Sequence, residues 1–185
     1  MDTLEHRKKV YTSFGLAMYR AQCAEQSIMQ LLVFFDFFDK RVETDESAEQ
    51  WEKGFDEFGK TASKKITQRL ILAMNELRII DKEIEGLLIL AQKKRNWLAH
   101  TYFNDRSLDF TSEKGRDEMI EELDDAVSIF NQVVETLNPI TKELCEKYGL
   151  TEDMLEGIKH EMYRSSGAGL NKLLNLMATD NLLSS

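Results

Sequence analysis

The chain has 185 residues, of which 42% are hydrophobic and 31% charged, and its formal net charge is −9. This size and hydrophobic content suit one folded domain with its own core. The negative charge argues against broad, non-specific binding to nucleic acid, so any contact with a polyanion must be local. Cys23 and Cys145 lie in apolar helical patterns and are predicted to be core residues in a reducing compartment, and not a disulfide or a metal site.

The two stretches that most resemble targeting or membrane segments do not qualify. Residues 1–9 are charged and lack the apolar run of a signal peptide. Residues 31–38 form the longest apolar run, but it contains Asp36 and is far too short to span a bilayer. We therefore expect a cytoplasmic protein without a membrane partner.

Apolar residues recur at intervals of three and four along most of the chain, which is the pattern of amphipathic helices. Asp81 is predicted to cap a helix, Gly149 to end one, and Pro139 to kink or break one. The predicted helices cover about residues 4–38, 51–58, 63–80, 82–103, 113–148 and 151–163, with a polar loop at 104–115.

This order of helices predicts an all-α protein, an up-and-down helical bundle of four to five long helices. The bundle is expected to be a single domain over residues 1–165. Residues 166–185 contain two glycines and a short leucine-rich segment, and we interpret them as a C-terminal tail.

Residues 54–61, with the sequence Gly-Phe-Asp-Glu-Phe-Gly-Lys-Thr, match the spacing of a phosphate-binding loop. Such a loop follows a strand and surrounds the phosphate with backbone amides. No strand is predicted here, and Asp56 and Glu57 would place two negative charges inside the cradle. We interpret the segment as a short helix, a glycine exit and the cap of the next helix.

Residues 93–103 hold the densest mix of cationic, amide, imidazole and aromatic side chains in the chain. On a helix with about 100° per residue, Asn96 and His100 share a face, whereas Arg95 and His100 are about 140° apart. Arg95 and His100 therefore converge only if the helix unwinds near Ala99 or if two protomers pack around a two-fold axis. We favour two protomers, because the apolar side chains on this second face then become buried.

The order Arg95, Asn96, three further residues and His100 resembles the signature of the HEPN-domain family. That signature is an arginine, a polar residue that is often Asn, three residues and a histidine, late in a helix of an all-α bundle. Tyr102 extends the likeness to the longer form of the motif, an arginine, four residues, a histidine, any residue and a tyrosine. This form belongs to HEPN toxins paired with minimal nucleotidyltransferase antitoxins.

The resemblance implies a metal-independent endoribonuclease, without a cofactor, that works as a homodimer with the motif residues of both protomers in one cleft. His100 would be the general acid or base acting on the RNA 2′-hydroxyl, and cleavage would leave a 2′,3′-cyclic phosphate. Arg95 would stabilise charge on the phosphate, and Asn96 would position the phosphate or the histidine. The side chains suit these roles, because histidine exchanges protons near neutral pH and arginine offers phosphate a fixed fork of donors.

Other residues of this stretch receive predicted roles as well. Lys93 and Lys94 form a basic cluster predicted to bind the RNA substrate, although they also suit the negative end of the helix dipole. Tyr102 matches the position that the antitoxin modifies by nucleotide transfer, and phosphate added beside Arg95 would block RNA. We therefore expect a toxin or anti-phage defence effector with a cognate antitoxin. Three apolar residues of the second face are predicted to form the dimer interface: Ile89, Trp97 and Phe103.

Two other functions fit the same residues. The chain is alternatively a non-catalytic interaction or regulatory module that dimerises and binds a partner protein through residues 31–38 and the Trp97 face. The acidic composition favours this reading. A third reading is a nucleotide-binding bundle that uses the cluster at residues 93–103.

Overall fold

The computed structural model describes residues 3–32, 34–35, 66–76, 80–147 and 149. These residues form helices and no strand, which confirms the predicted all-α fold. None of the described helices is long and apolar enough to cross a membrane. The helices are α1 (Thr3–Leu32), α2 (Ile66–Glu76), α3 (Lys82–His100), the short α4 (Tyr102–Asp105) and α5 (Glu113–Lys147), with a 3₁₀ turn at Asp109–Thr111.

Several predicted features lie outside the described residues. They are the segment that resembles a phosphate-binding loop (54–61), the helices near 51–58 and 151–163, the end of the apolar run 31–38 and the tail 166–185. The domain boundary at residue 165 falls there too. All of these stay predictions.

The two longest described helices, α1 and α5, run side by side in the same direction. Near their starts, the ring of His6 lies 3.0 Å from a carboxylate oxygen of Asp117. Further along, Ala21 and Ala24 of α1 line one pocket together with Phe130 of α5. The pair forms the main wall of the bundle, against which the other helices pack.

Helix α3 lies antiparallel to α1. Tyr102, just beyond the end of α3, stacks on Phe14 in the first half of α1, whereas Arg95, earlier in α3, pairs with Glu25 in the second half. The segment from Arg95 to Tyr102 therefore packs along the middle of α1.

The core of α5 follows the predicted stripe closely. Its buried residues recur at three and four positions, as the stripe required, and pack on a stripe of small and branched residues in α1. The α5 members are Met119, Leu123, Ala126, Phe130, Val133 and Leu137, and those of α1 are Ala17, Ala21, Ala24, Ile28 and Leu31.

The predicted helix ends are partly correct. The carboxylate of Asp81 accepts a hydrogen bond from the Ile84 amide at 2.8 Å, so the predicted cap is confirmed. Gly149 has a positive φ of 69°, as expected of a glycine just after a helix. Pro139 lies inside an α5 that continues to Lys147, so the break considered at that proline is absent.

The prediction that α3 extends to about Phe103 is wrong, because the helix ends at His100. Thr101 leaves helical geometry with φ −131° and ψ −13°, and α4 then starts a separate turn. The predicted polar loop at 104–115 is also too simple, since it contains the end of α4 and the 3₁₀ turn. Gly115 is needed there, because a Cβ at this position would clash with the backbone of Asp109.

Candidate functional site

The guanidinium of Arg95 is oriented by two side chains. Its Nε donates to a carboxylate oxygen of Glu25 at 2.7 Å, and its Nη1 donates to the amide oxygen of Asn96 at 3.3 Å. A guanidinium carries five N–H donors, so three remain without a partner in the part of the chain that the structure describes. Both partners of the ion pair are about one-third exposed, which limits its contribution to stability but leaves the donors open to a ligand.

Asn96 and His100 lie one helical turn apart on the exposed surface of α3. The helix is regular through His100, so the unwinding near Ala99 that would join Arg95 and His100 within one chain does not occur. Within the described ranges, the imidazole of His100 has no hydrogen-bond partner. Within one chain, Arg95 and His100 therefore stay on different faces of α3.

The predicted interface residues lie in different surroundings. Ile89 is exposed, as an interface residue requires. Trp97 is half-buried, donates its indole N–H to Asp105 at 2.9 Å and packs edge-on against Tyr102, with ring centroids 4.8 Å apart. Phe103 is half-buried within the chain's own aromatic cluster, so neither Trp97 nor Phe103 has its whole ring free for a partner.

Tyr102 lies in the core with 1% of its surface exposed, and its hydroxyl donates to the backbone carbonyl of Met119 at 3.1 Å. Burial raises the pKa of its phenol, and the nearby carboxylate of Glu122 raises that pKa further. The resemblance implied modification at Tyr102. In this conformation the hydroxyl is enclosed, so that modification needs the α4 turn to open.

Three cationic side chains near the motif differ in what they contact. Lys93 is exposed, whereas the ammonium of Lys94 lies 5.0 Å from the centre of the Trp97 ring. Arg106, which the sequence analysis did not single out, donates two hydrogen bonds to Glu122, at 2.8 and 2.7 Å. These bonds raise the pKa of the Arg106 guanidinium. Of the two lysines predicted to bind substrate, Lys93 is the exposed one and Lys94 is partly buried.

A pocket of about 220 Å³ adjoins Arg95 where α1, α2, α3 and α5 meet. Its polar lining was not predicted from the sequence, because the residues come from separate helices. One feature of the sequence did indicate a polar contact here. Glu25 directly follows an alanine stripe in α1, and a carboxylate beside closely packed helices is expected to pair with a cation. The polar residues of the pocket are Glu25, Thr67, Gln92, Arg95 and Asn96, and the others are Ala21, Ala24, Ile28, Ala91 and Phe130.

Among the described residues, no group of three or more histidine, cysteine, aspartate or glutamate side chains is placed to hold a metal ion. Comparisons of the chain with protein-family models, curated proteins and solved structures found no match. The function is therefore inferred from the residues of the site.

Proposed function

We propose that the chain is a metal-independent endoribonuclease of HEPN type that acts as a homodimer, with Arg95, Asn96 and His100 of both copies in one cleft. The observation that supports this best is the exposed pair of Asn96 and His100 beside a guanidinium that Glu25 already orients. Transfer at a phosphodiester needs such an arrangement: a group that exchanges protons next to fixed donors for the phosphate oxygens.

In the proposed reaction, His100 of one copy accepts the proton of the RNA 2′-hydroxyl, and the 2′-oxygen attacks the adjacent phosphorus. The bond from phosphorus to the 5′-oxygen breaks, and His100 of the second copy gives a proton to that leaving oxygen. The products are a 2′,3′-cyclic phosphate and a 5′-hydroxyl. Arg95 stabilises the negative charge on the phosphate oxygens, and the Asn96 amide positions them.

The surface of α3 supports pairing of two copies through this helix. Gly86, Ile89, Lys93, Asn96 and His100 are all exposed and recur at intervals of three and four. This spacing places them on one line along the helix, as in the seam of two packed helices. A two-fold axis across that line brings the motif residues of two copies together.

The proposal extends to a toxin or anti-phage defence effector that acts in the cytoplasm, with a minimal nucleotidyltransferase as its antitoxin. The sequence from Arg95 to Tyr102 supports it through its likeness to the paired toxins. Modification of Tyr102 would require the hydroxyl to leave Met119, and the modified side chain would not fit back into the core. Nucleotide transfer to Tyr102 would then reshape α4 beside the site as well as add charge.

Purified protein incubated with RNA in EDTA tests the proposed activity. Wild-type protein is expected to yield fragments with 2′,3′-cyclic phosphate ends, and His100→Ala to cleave at least about a hundredfold more slowly. Lys142→Ala, which removes an exposed charge at the far end of α5, is the control and should cleave normally. Cleavage that survives in His100→Ala contradicts the assignment.

The second candidate is a non-catalytic module of the same fold that dimerises and binds a partner protein. The observation that favours it is the Glu25 carboxylate, which neutralises Arg95 in a chain that is already acidic. A folded dimer that captures one protein partner and cleaves none of a broad set of RNAs would establish this function in place of the first.

A further inference from the structure

The pocket beside Arg95 has a buried interior, apolar except for Thr67, and a rim of charged and amide residues. Ala21, Ala24, Ala91 and Phe130 are at most 4% exposed, whereas the charged and amide residues that line the pocket reach solvent. The three alanines come from two helices and leave open the space that larger side chains would fill. At about 220 Å³ the pocket is smaller than sites for drug-sized ligands, and its size suits one flat ring system such as a nucleobase.

The carboxylate of Glu25 determines which ring fits the rim. Its Oε1 accepts from Arg95, and within the described ranges its Oε2 has no partner. An ionised carboxylate only accepts hydrogen bonds, so a ring held against it must present N–H donors. Guanine presents two neighbouring N–H donors on its Watson–Crick edge. In the other RNA bases each donor on that edge is followed by an acceptor, which a carboxylate repels.

The pocket shares Arg95 and Asn96 with the proposed site of cleavage. Asn96 lines the pocket and lies four residues, about 6 Å along the helix axis, from His100. A nucleotide with its base in the pocket therefore extends its ribose and phosphate towards Asn96 and His100. Proteins that read single-stranded RNA commonly take up splayed bases in this way.

We propose that this pocket is a guanine subsite, in which Glu25 binds the Watson–Crick edge of a substrate base and directs cleavage to a position next to a guanosine. The inference rests on the proposed ribonuclease function, because it takes single-stranded RNA as the ligand. Glu25 is then a specificity-determining residue, and Gln92 at the rim is placed to donate its amide N–H to the guanine O6.

Binding of free nucleosides tests the subsite without any cleavage. Guanosine added to protein with labelled alanine and isoleucine methyl groups should shift the signals of Ala21, Ala24 and Ala91, and leave that of the buried Ile120 unchanged. Inosine lacks the 2-amino group and should bind roughly tenfold more weakly. No shift at millimolar guanosine, or equal shifts with uridine, overturns the proposal.

The variant Glu25→Gln assigns the preference to the carboxylate. It should bind guanosine and inosine equally, whereas Glu5→Gln should keep the tenfold preference, because Glu5 forms an exposed ion pair with Lys8 at the start of the same helix. A preference that persists in Glu25→Gln refutes the role of Glu25. Circular dichroism checks that the variant is folded. If it unfolds, the methyl shifts and the ratio of guanosine to inosine affinity in the wild type still test the proposed subsite.

Failure of the subsite and failure of the ribonuclease proposal give different results. If the wild type cleaves RNA in a His100-dependent manner but guanosine causes no shifts, the pocket has another role and the activity stands. If guanosine shifts the pocket methyls while the wild type cleaves no RNA, the subsite stands and the third function considered above, nucleotide binding, replaces cleavage.

Discussion

His100 and Tyr102 are separated by one residue and lie in opposite surroundings. Tyr102 belongs to the aromatic cluster (Tyr11, Phe14, Tyr102, Phe103 and Phe110), where its ring packs on all sides and its hydroxyl has a backbone partner. His100 belongs to the motif surface (Lys93, Asn96 and His100), where side chains reach solvent. The end of α3 at His100 thus divides the motif into one part that stabilises the fold and one that is free for chemistry.

Replacement of Tyr102 by alanine should give the largest effect on stability. Loss of a fully buried aromatic ring leaves a cavity and is expected to lower the free energy of unfolding by about 3–5 kcal/mol. His100→Ala at the exposed position should change it by less than about 0.5 kcal/mol. Urea unfolding followed by circular dichroism measures both, and similar losses in the two variants would remove the proposed division.

The next largest effect on stability is expected at Gly115, which packs on the 3₁₀ turn at Asp109–Thr111. Gly115→Ala should lower the free energy of unfolding by about 1–3 kcal/mol, because the added methyl group meets the Asp109 backbone in the turn that carries Phe110. Gly15→Ala is the matched control in α1, where a Cβ meets no atom within 4 Å. It should stabilise the chain by about 0.5–1 kcal/mol, since alanine favours helix over glycine.

Tyr102→Phe isolates the hydroxyl of the cluster. It should lower the free energy of unfolding by about 0.5–1.5 kcal/mol at pH 7, because it removes the hydrogen bond that the buried hydroxyl donates to the Met119 carbonyl. Burial raises the pKa of Tyr102 in the folded chain, so the unfolded chain ionises first, near pH 10. The stability that this phenol contributes is present below that pH and is lost as the pH rises above it.

The difference between wild type and Tyr102→Phe should therefore be larger at pH 8 than at pH 10.5, as measured by the midpoint of urea unfolding. Tyr11→Phe, at a tyrosine that is 55% exposed, should match the wild type at both values. A difference that stays constant between the two pH values would mean that the Tyr102 hydroxyl reaches water.

Local patterns predicted the helices, because a stripe of apolar residues is a property of one segment alone. The stripe in α5 and the cap at Asp81 were both correct for this reason. The end of α3 was predicted three residues too late. Tyr102 and Phe103 continue its aromatic character, but they are held by α1, and that contact has no local signature.

The motif residues could be identified from the sequence, whereas the side chains and backbone groups that they contact could not. The pairing of Arg95 with Glu25 depends on how α1 and α3 align, because the two residues are 70 positions apart in the sequence. The partner of Tyr102 is a backbone carbonyl of α5, which any residue type supplies equally. Side chains that meet by packing of distant helices therefore become visible only in the folded chain.

Arg95→Lys should change the stability little and the activity strongly. Lysine keeps the charge near Glu25, and an ion pair that is about one-third exposed contributes at most about 1 kcal/mol, so the melting temperature should hardly move. Cleavage of RNA should nevertheless fall about tenfold or more, because lysine lacks the fork of donors that binds two phosphate oxygens. Arg20→Lys at an exposed position of α1 is the control for loss of a guanidinium. Full cleavage by Arg95→Lys would mean that Arg95 supplies only positive charge and that its fork of donors plays no part in the reaction.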